Sequence, residues 1–123
     1  MKNNIAIAVA YYTALGKKDL EEVKHYLHPH IHFTDPQEQV IGKETVLKAA
    51  TGFSTIFKSL VIRAAFSDRD QAVIIYDVEI PNFANKNLRA ASWLSFQEGL
   101  ISKIELIYDT QCFMEKKEKV LSL

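Results

Sequence analysis

At 123 residues, with 48% hydrophobic and 24% charged side chains, the chain has the size and composition of one folded globular domain, not of a disordered segment. Lysine plus arginine number 15 and aspartate plus glutamate 15, a balance that argues against a nucleic-acid partner, because phosphate binding needs a basic surplus. Cys112 is the only cysteine, so no disulfide closes within the chain, no cysteine cluster holds zinc, and a reducing, cytoplasmic setting is expected.

The apolar positions Ile5, Ala8, Val9, Tyr12 and Leu15 recur at steps of three and four, with Asn3 or Asn4 as N-cap, and predict an amphipathic helix that ends near Gly16. Lys2 followed by an apolar run superficially resembles a signal peptide. Tyr11, Tyr12 and the continuing helical period instead mark the run as a first helix. Asp19 and Glu22 form a capping-box-like start for a short second helix that stops before Pro29. In "IHFT", Ile31 and Phe33 alternate with His32 and Thr34 as in a half-buried strand, and an extended chain would put Asp35 on the side of Ile31 and Phe33. After the turn residues of "DPQEQ", Gly42 precedes a third helix whose stripe is Val46, Leu47, Ala50, Phe53 and Phe57.

The period then switches to two. Leu60, Ile62, Ala64 and Phe66 form one inward set; Ala72, Ile74, Tyr76, Val78 and Ile80 the next; Leu88, Ala90, Ser92, Leu94 and Phe96 the third; Leu100, Ser102, Ile104, Leu106 and Tyr108 the fourth. Four long, hairpin-linked antiparallel strands follow from this. Their other face mixes Arg63, Asp77, Glu79, Arg89, Lys103 and Glu105 with Val73, Ile75, Trp93, Ile101 and Ile107, a pattern suited to a second subunit. Helices on one face of a curved sheet make an α+β domain with a cavity between the layers, the default site for a small hydrophobic ligand. No apolar stretch reaches the roughly 18 residues of a membrane span.

The order "YYTALGKKDLEEVKHYLHPHIHFTDP…IGKETVLKAATGF" and the ending "FQEGLISKIELIYD" resemble the nuclear transport factor 2-like superfamily, most closely its SnoaL-like and ketosteroid-isomerase-like branch. The likeness covers nearly the whole chain, residues 1–123, as a single SnoaL-like domain. It implies a cone-shaped α+β barrel, cystatin-like, with three N-terminal helices packed on a strongly curved, mostly antiparallel sheet, and a homodimer through the outer sheet face. It also implies a cofactor-independent isomerase or cyclase acting by proton transfer next to a carbonyl. The alternative is a non-catalytic ligand-binding or protein-interaction dimer of the same fold. Carried over by position, the isomerase pattern puts the general base at Asp35 and an oxyanion-donating tyrosine at Tyr11. Its second donor, a protonated aspartic acid, falls at Ser92, a departure that leaves a weaker donor there.

Each residue also has a plainer reading. Asp35 before Pro36 suits a turn carboxylate bonded to backbone amides. Tyr11 suits a helix-to-sheet packing residue with a satisfied hydroxyl, and Tyr12 a core residue. His25, His28, His30 and His32 straddle a helix end, a proline and a strand, so no metal site is expected. Asp77, Glu79, Arg89, Lys103 and Glu105 read as cross-strand ion pairs, Trp93 as an interface anchor, and Cys112 as lacking the base a nucleophile needs.

Overall fold

The computed structural model describes residues 3–81 and 87–110; part of the connection after the second long strand, and Cys112, lie outside the described residues. Its elements are α1 (Asn4–Gly16), α2 (Leu20–Lys24), β1 (Leu27–Thr34), β2 (Gln39–Ile41), α3 (Lys43–Ser54), β3 (Ser59–Asp68), β4 (Gln71–Glu79), β5 (Asn87–Gln97) and β6 (Leu100–Tyr108). The strands form one sheet in the order β2-β1-β6-β5-β4-β3, antiparallel throughout except where β1 runs parallel to β6.

Helix starts follow local chemistry. The Asn3 side chain accepts the Ala6 N–H and the Asp19 side chain accepts the Glu22 N–H, each satisfying a donor that the first helical turn leaves open. Gly42 opens α3 at φ 101°, a backbone conformation that costs other residues strain, while its N–H donates to the Ile31 carbonyl at 2.7 Å. Gly16 ends α1 against β3, where a Cβ would come within 3.3 Å of the Leu60 carbonyl oxygen.

Helix α1 packs along β3 and β4, α3 lies over β1 and β2, and α2 contacts both helices. The core between these layers includes Ala8, Leu15, Val23, Leu27, Ile31, Ile74, Leu94, Ile101 and Ile104. Each large aliphatic side chain fully buried there contributes on the order of 1.5–3 kcal/mol.

The structure corrects the expected strand pattern in four places. Strand β1 begins at Leu27 and passes through Pro29, because its ladder with β6 is irregular between Leu27 and His32 and no bond is required of the proline there. The segment expected as a turn contains β2, which pairs His32, Phe33 and Thr34 with Ile41, Val40 and Gln39. A bulge at Arg63 in β3 puts Ala65 opposite inward-facing Ile74 and turns Phe66 to the outer face, where it is 60% exposed. A second register shift, between Ser95 and Phe96 of β5, skips Ser102 on β6 and turns Ile101 into the core. In addition, α3 stops at Ser54, and Phe57 is buried beyond it, with Lys18 Nζ 4.6 Å above its ring centre.

On the outer face, Arg89 grips Asp77 through two bonds of 2.7 and 2.9 Å, and Arg63 lies 3.5 Å from the same carboxylate. The Arg89 bonds hold the Asp77 carboxyl below its ordinary range. The Asp77–Arg89 pair is one of the cross-strand pairs expected from the alternation.

Candidate functional site

A cavity of about 290 Å³ opens between the inner sheet face, α1 and α3. Its wall is mainly apolar, with Phe33, Val46, Phe53, Val78 and Leu106 among the lining residues. Polar groups reach it from three directions: tyrosines of α1 and β4, Tyr108 at the end of β6, and the turn between β1 and β2 that carries Asp35.

Asp35 is a turn carboxylate that also lines the cavity. Its Oδ1 accepts the N–H groups of Gln37 and Glu38, both at 2.8 Å, and its own N–H donates to the Glu38 carbonyl. This locks the carboxylate by one oxygen, as turn aspartates do. Oδ2 has no hydrogen bond among the described residues, and Asp35 lines the cavity. Phe33, two residues earlier on the strand, lines it too.

Tyr11 and Tyr12 are adjacent on α1, both buried, with ring centres 4.8 Å apart and edge to face. Both line the cavity, but their hydroxyls differ. Tyr12 donates to Ser92 Oγ at 2.6 Å, and the Tyr76 hydroxyl lies 3.0 Å from the same oxygen. Tyr76 stands opposite Ala90 on β5, whose small side chain leaves room for the phenol to meet its diagonal neighbour Ser92. The Tyr11 hydroxyl, in contrast, has no hydrogen-bond partner among the described residues, although the side chain is only 3% exposed.

Burial pushes the Tyr11 and Tyr12 phenols well above their ordinary range, with Tyr76 nearby adding to both, and pushes Tyr76 up to about 12. All three are therefore neutral hydroxyl donors at physiological pH.

Of the residues singled out in the sequence, Asp35 and Tyr11 share the cavity wall. Ser92 does not line it: the serine is fully buried behind the tyrosines and bonded to two of them. The sequence reading missed Tyr76, although its inward parity on β4 was a usable signal, and took Tyr12 for core alone. His28 Nδ1 accepts the His30 N–H, and among the described residues no group of histidines and carboxylates converges to hold a metal.

With this geometry, the sequence matches the SnoaL-like domain model over residues 8–104. The chain belongs to the SnoaL-like domain family. No curated protein matches it. Among solved structures it is similar to a protein from Kribbella flavida (22% identity, TM-score 0.86, covering 97% of each chain). It is similar also to a candidate SnoaL-like polyketide cyclase from Shewanella denitrificans (16%, 0.76, covering 94% of this chain and 97% of that one). A third is TerC, co-crystallised with polyporic acid (18%, 0.78, covering 91% and 95%). At these identities the likeness is one of fold: the SnoaL-like chain has the cone-shaped α+β architecture of the nuclear transport factor 2-like superfamily. No described helix is long and apolar enough to cross a membrane.

Proposed function

We propose that this SnoaL-like protein binds a hydrophobic carbonyl compound in its cavity and moves a proton next to the carbonyl, as a cofactor-independent isomerase or cyclase. The observation that carries the reading is the pair of uncommitted groups in one mainly apolar cavity: Asp35 Oδ2 and the Tyr11 hydroxyl. Asp35 takes a proton from the carbon beside the carbonyl, and the C–H electron pair moves to the carbonyl oxygen as an enolate. Tyr11 donates a hydrogen bond to that oxygen, where the charge develops. Returning the proton to another carbon gives isomerisation; attack of the enolate carbon on a second carbonyl gives ring closure. The polyketide cyclase name of one structural relative and the polyporic acid bound by another support an aromatic or polyketide-like ligand.

The test is binding of a neutral aromatic ketone, 2-acetylnaphthalene, to the protein and to Tyr11→Phe. Loss of one neutral hydrogen bond should weaken binding about three- to tenfold. Equal affinity would remove Tyr11 from the site.

A homodimer through the outer sheet face belongs to this proposal and to the non-catalytic alternative. Two apolar rows cross that face by strand register, Phe66–Val73–Trp93 and Ala64–Ile75–Ala91–Ile107. Trp93 is 42% and Ile107 55% exposed in the single chain, an apolar surface of the kind that subunit contact covers. Light scattering on the eluting protein should give a dimer mass, and Trp93→Glu a monomer with an unchanged circular dichroism spectrum. A monomer in the unsubstituted protein would end the dimer proposal. A ligand or protein partner that survives Asp35→Asn and is lost with Trp93→Glu would favour the interaction module.

A further inference from the structure

Formal charge of one sign only lines the cavity. Asp35 and Glu38 supply it, and among the described lining residues there is no lysine, arginine or histidine. Both carboxylates belong to the connection between β1 and β2. Gln37, Glu38, Ala49 and Ile56 are lining residues that are also exposed, so the cavity opens between that turn and the α3 side. The Glu38 backbone closes the turn on Asp35, but its carboxylate has no hydrogen bond or ion pair among the described residues. Two carboxylates over apolar walls set a negative potential at the entrance, which low-dielectric walls focus. The interior adds to that bias. Tyr11, Tyr12, Phe33, Phe53, Tyr76 and Tyr108 line it, and a ring face attracts a cation and repels an anion. At depth, an independent feature calls for a ligand: the Tyr11 side chain is only 3% exposed and its hydroxyl is unpartnered among the described residues. No fully buried side-chain nitrogen or oxygen among those residues lacks a partner, so this hydroxyl keeps open surface, and the cavity that Tyr11 lines supplies it.

We propose that the cavity selects a cationic carbonyl compound: a hydrophobic ketone whose oxygen reaches Tyr11 and whose ammonium group stays at the rim beside Glu38. The inference rests on the carbonyl-pocket reading above and names its substrate class. Glu38 is then a specificity-determining residue that holds the far end of the ligand. With the ammonium there, Asp35 Oδ2 stays free for the carbon beside the carbonyl. A ketone bearing a carboxylate or phosphate at that end would meet like charge at the rim and no described cation in the lining, so it would lose hydration without compensation.

The experiment compares three probes by titration calorimetry: 2-acetylnaphthalene, its trimethylammonium derivative and its carboxylate derivative, each substituted on the ring remote from the ketone. At low ionic strength the cation should bind roughly five- to fiftyfold tighter than the carboxylate, the scale of two partly exposed charge contacts that change sign between the probes. Glu38→Gln should reduce that ratio about two- to tenfold. High salt should shrink it in the unsubstituted protein, because contacts at an open rim are screened. The Glu38 side chain is exposed and unpaired among the described residues, so the variant should keep its melting temperature. The salt series reads the same contact without any substitution.

A carboxylate that binds as tightly as the cation overturns the proposal. So does a cation preference that persists unchanged in Glu38→Gln or in high salt. In either case, binding of the uncharged parent ketone leaves the carbonyl-pocket reading intact. Failure of all three probes to bind overturns both.

Discussion

Replacing Asp35 with Asn should slow proton transfer by roughly 10²- to 10⁴-fold on any carbonyl compound the protein turns over, the range a positioned general base contributes. The fold should survive. Asn retains an oxygen that can accept the Gln37 and Glu38 N–H bonds now made to Oδ1, so the β1–β2 turn keeps its shape. What is lost is the basicity of the group whose other oxygen is uncommitted. The measurement is exchange of the proton beside the carbonyl into deuterated water, followed by proton NMR. It registers abstraction even where the overall product is unknown. A rate within a factor of about three of the unsubstituted protein, with an unchanged melting temperature, would take Asp35 out of the mechanism and favour the binding-module reading.

The largest effect on stability is expected at Ile101. Its side chain is fully buried, and truncation to alanine should cost about 2–5 kcal/mol in chemical denaturation. Strict alternation along β6 would put the same residue on the outer face, where the change would cost about 0.5 kcal/mol or less. Phe66 gives the mirror experiment. Alternation puts it inside, with a cost of about 3–5 kcal/mol on truncation, whereas its observed outward position predicts a small change at dilutions where the protein is monomeric. A small loss at Ile101 together with a large one at Phe66 would mean that neither bulge exists in solution.

These two residues also mark where the sequence ceased to be legible. The Asn3 and Asp19 caps and the inward set of β4 are local patterns, and each stands in the fold as expected, whereas α1 buries Tyr11 and Ala14 beside Ala8, Tyr12 and Leu15 of its expected stripe. A bulge is different: it is set by how neighbouring strands must bend to wrap the helices, and nothing in the period-two pattern around Arg63 or Ser102 announces it. Strand β2 escaped for a similar reason, since three residues pairing across a tight turn carry too few positions to show a period. At the site, Asp35 and Tyr11 came from positional resemblance, and both line the cavity. The role of Ser92 could not be read the same way. Inward parity tells which face of the sheet a side chain leaves, but not whether larger neighbours stand between it and the ligand. Tyr12 and Tyr76 do so here.

The one parallel pairing in the sheet has a consequence for how the protein matures. Strand β1, which carries the chain into the Asp35 turn, finds its long partner only in β6, some seventy residues further on. Contacts this distant in sequence close late and slow the search for the native state. On a ribosome, the hairpins of β3, β4 and β5 can assemble while β1 still lacks its neighbour. The Asp35 carboxylate, carried on the turn that follows β1, is thus among the last to reach its place, and a chain interrupted before β6 would hold most of a sheet with no organised pocket.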